Sequence, residues 1–320
     1  MGKILVIRGG AIGDFILTLP AIRLLAEELP QAELEVLGYE PIIVLARAGG
    51  YAKSTRSIEY GAMASFFARA GKLDEQLCTY FASFDVVVSY LFDPDHFFRD
   101  NLKRAGVETL IECSHKVSNE GAPAAEQLAK PLEELALFLD AERAPAKLEM
   151  SCEHLNAADT LLGVSGNVIA VHPGSGSPFK NWELTRWRET MERLLEADPT
   201  LRFLVSTGEA EEEAVTIFLK ELQELALPVI RANRLPLPVL GAALAKCRLY
   251  LGHDSGISHL AAAVGTSSIL LFGPTSSSIW APPHEHVKVL EHPSGLLNEI
   301  TVDAVIEAVK SVCASLGEDV

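Results

Sequence analysis

The chain has 320 residues, 48% of them hydrophobic, and a formal net charge of −16. That length suits one large or two ordinary domains with ample material for a core. So acidic a balance argues against a duplex nucleic-acid binder, which presents a basic face, and leaves any anionic ligand to local amides and a few cations. The five cysteines (Cys78, Cys113, Cys152, Cys247 and Cys313) are scattered and odd in number, without C-x-x-C spacing. They fit reduced thiols in a cytosolic protein rather than a disulfide framework or a zinc site. Residues 1–7 are too short for the apolar core of a signal peptide, and no apolar run approaches the roughly 20 residues that span a bilayer. The expectation is a soluble, intracellular protein. No basic amphipathic helix is evident, although contact with a membrane surface stays open.

In chain order, the apolar, β-branched residues 3–7 predict a central parallel strand. It breaks at Arg8-Gly-Gly-Ala-Ile-Gly-Asp14. Helical periodicity follows over 15–29, with Pro20 as an internal irregularity. Strands are predicted at 33–37 and 85–89, an extended piece at 57–60, and helices at 42–48, 62–70 and 131–139. This alternation indicates a doubly wound sheet. The character changes over 142–167, which carries Pro145, a mixed helix at 154–162, Gly163 and Gly166, and marks a domain boundary. The pattern then restarts with strands at 168–171, 202–206, 228–231, 247–251 and 268–272. Helices are predicted at 185–197, 211–225, 239–245 and 257–264, and a last one at 301–315. The expected division is 1–160 and 161–320, with the last helix (about 301–316) packing back on the first domain. Two doubly wound domains would face a central cleft, each offering its carboxyl-end loops to a ligand.

The chain is organised around Tyr250-Leu-Gly-His-Asp-Ser-Gly-Ile-Ser-His-Leu-Ala-Ala-Ala263: a strand, a tight polar turn and a helix start. Ser255 is a candidate N-cap, and Gly256 lets another group approach the backbone. Free amides and the dipole favour an anion at that helix mouth, and His259, one turn on, points back toward it. The next strand ends in Gly273-Pro-Thr-Ser-Ser-Ser278, a second loop of hydroxyls that includes Thr275.

Other junctions carry related chemistry. Gly9, Gly10 and Gly13 follow the first strand, close to a dinucleotide fingerprint but lacking its first glycine. Asp14 stands at a helix start, where a carboxylate either answers the dipole or serves as a general base. The turn Gly174-Ser-Gly176, including Ser175, is a backbone nest for an anion, with Lys180 as a compact positive charge; Trp182 reads as core. In Thr207-Gly-Glu-Ala-Glu-Glu-Glu213 a carboxylate such as Glu209 is placed to bond a ribose hydroxyl. Asp93-Pro-Asp95 matches an Asp-x-Asp metal pattern but equally suits a turn. Beside it His96, Arg99 and Arg104 are either solvated or contacts for an acceptor.

Taken together, Ile4-Leu-Val-Ile-Arg8, Gly13-Asp14 and Leu17-Thr-Leu-Pro20, with His172-Pro-Gly174, Lys180-Asn-Trp182, Asp254-Ser-Gly256, Ser258-His-Leu-Ala261 and Leu271-Phe-Gly-Pro-Thr275, resemble glycosyltransferase family 9. These are the heptosyltransferases of lipopolysaccharide inner-core assembly and their relatives. The motifs lie in both halves and in the family's order. The resemblance implies an α/β GT-B fold of two Rossmann-like domains, acceptor on the first and nucleotide-sugar on the second. It implies inverting, metal-independent transfer of a heptose or related sugar from an ADP-sugar to a lipopolysaccharide-core or similar glycan. No cofactor besides the donor is implied, and the place of action is cytoplasmic or the inner face of the membrane. By motif match Asp14 is the general base, and Lys180 with Asp254, Ser255, Gly256 and His259 holds the donor. Gly174, Ser175, Glu209 and Thr275 join that donor set, while Arg8, Gly13 and Arg99 are assigned to the acceptor. Gly9, Gly10 and Ala11 stand where family members often carry hydroxyls, and the chain is acidic although the family's acceptor is anionic. The first departure removes the loop's side-chain contacts and signals a different acceptor; the second leaves the acceptor's identity open. Two competing readings are a nucleotide-sugar binding protein without transfer activity and an NAD-type oxidoreductase built on the Gly9–Gly13 turn.

Overall fold

The computed structural model describes residues 2–69, 71–163, 166–207, 212–315 and 317, the side chains of 212 and 213 excepted. The chain forms two compact units, Met1–Glu149 and Met150–Val320. The first contains β1 (Lys3–Arg8), α1 (Ile12–Glu28), β2 (Glu33–Gly38), α2 (Glu40–Ala48), β3 (Ser54–Ser57), α3 (Glu75–Ala82), β4 (Val86–Ser89), α4 (Phe97–Arg104), β5 (Leu110–Glu112) and α5 (Ala124–Ala129). Its strands form one parallel sheet in the order β3-β2-β1-β4-β5. β1 is apolar between its charged ends because helices cover a parallel sheet on both faces: Ile4, Leu5, Val6 and Ile7 are all buried. Leu5, Ile7 and Val87 pack with Phe66, Phe81 and Phe98 on one side.

The second unit contains α6 (Cys152–Leu162), β6 (Val168–Val171), α7 (Leu184–Ala197), β7 (Arg202–Thr207), α8 (Glu212–Glu224), β8 (Val229–Asn233), α9 (Leu237–Ala245), β9 (Leu249–His253), α10 (Gly256–Ala263), β10 (Ser268–Phe272), α11 (Ser277–Trp280), β11 (Val287–Glu291) and α12 (Val302–Ser315). Its parallel sheet runs β11-β10-β9-β6-β7-β8. Numbered from its own first strand, this repeats the order of the first unit with one strand added. Each sheet therefore has one point where the order reverses: β1/β4 in the first unit and β6/β9 in the second. Open α/β sheets bind ligands beyond the carboxyl ends of the strands at such points.

Several expectations change. The boundary falls at residue 149 rather than 160, because α6 packs on α9 and Asp159 pairs with Lys246 at its end. The last helix does not leave the second unit for the first: Val305, Ile306 and Val309 of α12 join Trp187 and Met191 of α7 in one core. Residues 62–70 and 131–139 were expected as α-helices; the structure has 3₁₀ segments at Gly61–Phe67 and Lys130–Leu135 instead. β9 runs to His253 rather than ending at 251, which turns the His253 ring into the interior. Trp182 is core, as expected, at 1% exposure. None of the five cysteines is in a disulfide. Among the described residues, no helix is long and apolar enough to cross a membrane.

Candidate functional site

The reversal point of the second unit gathers the loops after β6, β9 and β10. Ser255 is the N-cap of α10, its hydroxyl accepting from the Ser258 amide at 3.3 Å. Ser258 lies 3.1 Å from the Ser255 oxygen, 3.0 Å from the Tyr250 hydroxyl, and donates to the His253 carbonyl. Tyr250 fits there because position 252 is glycine: a Cβ would stand 2.5 Å from the Tyr250 hydroxyl. The cap is thereby fixed by a buried polar cluster, so the remaining amides of the first turn keep one direction.

Beside this helix mouth, Asp254 is 8% exposed and its Oδ2 accepts from Lys180 Nζ at 2.7 Å and from Thr275 Oγ1 at 2.8 Å. A carboxylate so buried needs a cation and hydrogen bonds to remain charged. Lys180 supplies one of its three protons to Asp254 and keeps two for a ligand, and its side chain is 31% exposed. The turn before it is closed by Ser175, buried, whose oxygen accepts from the Ser177 amide and lies 2.7 Å from Asn181 Oδ1. Gly174 is also buried, and its carbonyl faces His253 Nδ1 at 3.5 Å. His253 Nε2 accepts from the Trp182 amide at 2.8 Å, which leaves the proton on Nδ1. Burial pushes the His253 imidazole down to about 3. It acts as a neutral strut between the β6 loop and β9. His172 is a second such strut, bonded through Nδ1 to Ser206 and lowered by burial to about 4.

Lys180, Asp254, Ser255, Gly256, Thr275, Gly174 and Ser175 therefore share one end of one sheet. His259 is on the same helix at 5% exposure, a largely enclosed position. Glu209 lies outside the described residues. The strut His253 and the Ser175 partner Asn181 were not singled out by sequence reading. The signal for His253 lay in strand alternation, which puts position 253 on the same face as the core residues Leu249 and Leu251 once the strand is extended to it.

The first unit holds a second group at its own reversal point. Gly10 adopts φ +102°, a conformation suited to glycine, and a Cβ there would lie 2.9 Å from Asp14 Oδ2. The chain thus turns back on itself, and α1 begins three residues earlier than its periodicity predicts. Asp14 falls in the first turn, its Oδ2 accepting from the Ala11 amide at 3.1 Å. Its Oδ1 lies 3.8 Å from Arg8 Nη2, and the side chain is 36% exposed. Arg8 is 2% exposed and binds the carbonyls of Asp14 at 3.3 Å and His115 at 3.2 Å. Desolvation lowers the basicity of this guanidinium, and Asp14 opposes that effect. Arg8 is thus a buried clamp between the β1 loop and the β5 loop, and Asp14 is the carboxylate it holds toward solvent. Gly13 sits inside α1.

Arg99 is brought to the same edge. Its amide donates to Asp93 Oδ2 at 2.8 Å, and its guanidinium lies 4.0 Å from Glu112. Asp93 also accepts from the Phe98 amide, so both oxygens cap α4. The Asp-x-Asp pattern is a helix cap here. Among the described residues, no group of three or more acidic, His or Cys side chains could hold a metal ion.

Comparison with known proteins adds to this geometry. The family model for glycosyltransferase family 9 (heptosyltransferase) matches residues 103–300. Lipopolysaccharide heptosyltransferase 3 of Escherichia coli is 23% identical over 297 residues, which is 84% of this chain and 83% of that one. The structure of E. coli ADP-heptose lipopolysaccharide heptosyltransferase II superposes with a TM-score of 0.76 at 19% identity, over 98% of this chain and 99% of the other. E. coli heptosyltransferase WaaC, solved with ADP-2-deoxy-2-fluoro heptose, gives 0.69 at 18% identity, over 97% and 99% of the two chains.

Proposed function

The chain belongs to glycosyltransferase family 9, and from that premise we propose that it moves a heptose or closely related sugar from an ADP-sugar to a lipopolysaccharide-core or similar glycan, with inversion and without a metal. It is a heptosyltransferase-like enzyme of GT-B fold. The observation that supports the finer reading is the Asp254–Lys180–Thr275 cluster beside the capped mouth of α10. Free amides and the dipole at a helix start, with a half-exposed lysine alongside, suit a diphosphate. A donor of this kind is bound in the WaaC structure, which carries an ADP-linked fluoro-heptose.

In this reading the acceptor hydroxyl gives its proton to Asp14 as its oxygen attacks the anomeric carbon. The bond from that carbon to the diphosphate oxygen breaks, and ADP leaves with the electron pair. Attack from the face opposite the leaving group inverts the anomeric centre. Lys180 and the amides at Ser255 and Gly256 offset the charge that grows on the diphosphate, the task a cation would otherwise perform. Asp254 is itself negative and does not touch phosphate; it aims Lys180 and Thr275. Gly174 and Ser175 line the donor's approach, His259 supports the helix mouth from inside, and Glu209 is assigned to the ribose. Arg8, Gly13 and Arg99 serve the acceptor side. No cofactor besides the donor takes part. Its place of action is the cytoplasm or the inner face of the membrane.

A melting-temperature panel tests the nucleotide. A ligand that binds only the folded state raises the transition by mass action. ADP should raise it and NAD should not, and ADP-sugar with a core oligosaccharide should give a product heavier by one sugar. Stabilisation by NAD alone would instead favour the oxidoreductase built on the Gly9–Gly13 turn, and ADP binding without a product would favour a sugar-nucleotide binding protein.

A further inference from the structure

The cavity at the carboxyl ends of β4 and β5 in the first unit holds about 220 Å³ and is walled by Phe92, His96, Arg99, Glu112 and His115 among others. Phe92 is 64% exposed although it is a large apolar side chain. It does not stand alone: the His115 ring packs on it with centroids 4.5 Å apart. Single exposed apolar residues need no explanation. An aromatic pair at the mouth of a cavity, beyond the ends of two parallel strands, is a different matter, because that is where such sheets bind ligands.

The walls are pre-set. Asp93 holds both the Phe98 and Arg99 amides, and His96 takes the left-handed conformation at φ 59° to make that turn. Glu112 lies 3.9 Å from His96 Nδ1 and 4.0 Å from Arg99 Nη1, too far for a hydrogen bond to either, and is about half exposed. Its oxygens stand at ion-pair range of these groups and keep their hydrogen-bonding capacity for a ligand. The cavity is also tied to the Asp14 group: the His115 carbonyl accepts from Arg8, and Arg8 in turn binds Asp14. Of the charged side chains lining it, Asp93 and Glu112 are negative and Arg99 is positive, a balance of −1 with the histidines neutral.

We propose that this cavity is an acceptor subsite for one uncharged or amino-substituted sugar ring, stacked by its C–H face on Phe92 with hydroxyls donated to Glu112. The volume is small beside the roughly 300–1,000 Å³ of sites for drug-sized ligands, so it admits one ring rather than a longer glycan. An aromatic face carries negative potential and attracts the weakly positive C–H groups of a pyranose. An ionised carboxylate accepts hydroxyl protons and offers none. The same balance of charge disfavours a sugar bearing a carboxylate or a phosphate. This inference rests on the transferase reading for its name as an acceptor site, but its binding chemistry can be tested alone.

Saturation-transfer NMR on the full chain reads binding of methyl glycosides of glucose, galactose, mannose, glucosamine and glucuronic acid. The wild type is compared with Phe92→Ala, Phe92→Trp and Glu112→Gln. Phe92 and Glu112 are exposed enough that none of these changes threatens the fold, and a melting curve checks it. At least one neutral or amino glycoside should bind at millimolar level, with transfer strongest to its ring C–H protons. Phe92→Ala should weaken it roughly tenfold, Phe92→Trp should restore it, and Glu112→Gln should weaken it severalfold. The glucuronide should bind least. Binding indifferent to Phe92→Ala, preference for the glucuronide, or no transfer to any of the five would overturn the proposal. The ADP melting shift is recorded on the same samples. Loss of that shift with glycoside binding intact would remove the transferase reading and leave the sugar site, and the reverse would remove the sugar site alone.

Discussion

At Lys180, one side chain serves two masters. Its ammonium is 2.7 Å from the buried Asp254 carboxylate and also faces outward beside the helix mouth. Lys180→Met should weaken ADP binding by roughly ten- to a hundredfold, the range of a charge-assisted hydrogen bond. It should also lower the melting temperature without ligand, because Asp254 would be left buried without its cation. Calorimetry and a melting curve read the two effects separately. Gly10 is the other residue where the backbone dictates chemistry. Gly10→Ala meets strain at φ +102° and pushes against Asp14 Oδ2. It should cost about 1–3 kcal/mol of stability in urea titrations and cut turnover while leaving ADP affinity unchanged. Lys180, Asp14 and the glycines were legible in the sequence because each sits at a strand–helix junction. The pairing of Lys180 with Asp254, 74 positions apart, was not: spacing along the chain carries no information about which polar groups meet once both are folded.

Among the elements, α10 shows local and tertiary signals agreeing. Ser255, Gly256 and the Ala-rich run after them predicted the cap and the helix, and the cap hydrogen bond is present. Ser255→Ala should destabilise the second unit by about 1 kcal/mol, the usual cost of a lost cap, and reduce ADP affinity as the first-turn amides loosen. Chemical denaturation with and without ADP measures both. Other elements left little trace. β5 is three residues long and β11 is only partly buried along its length, so neither shows an apolar run. α4 is polar on most positions, and its N-cap, His96, makes no side-chain cap; the capping comes from Asp93, outside the usual position. α12 showed its periodicity but not its destination, since an apolar stripe does not name the surface that will cover it.

For the molecule as a whole, the repeated strand order is what makes the account economical. Two sheets with the same order each put their polar junctions at one reversal point, one with the Lys180–Asp254 cluster and one with Arg8 and Asp14. The alternation of strands and helices carried that architecture in the sequence; the unit boundary shifted by α6, whose partner α9 starts 75 positions after α6 ends. The interior also sets a pH response. His172 and His253 are buried neutral, lowered to about 4 and about 3. An unfolded histidine takes up its proton near 6.5, so between that value and about 4 the unfolded chain binds more protons than the folded one. Stability present above pH 6.5 should therefore fall as the medium is acidified, by up to about 1.4 kcal/mol per pH unit for each histidine. Urea midpoints at pH 7, 6 and 5 should show the decline, and His172→Gln should flatten it. The central claim is that Asp14 takes the proton of the acceptor hydroxyl while the second unit holds ADP. Single-turnover product formation from an ADP-sugar by Asp14→Asn measures it most directly. The account predicts an ADP melting shift equal to that of the wild type, with transfer slowed by roughly 10²–10⁴-fold; transfer within a few-fold of the wild-type rate would contradict it.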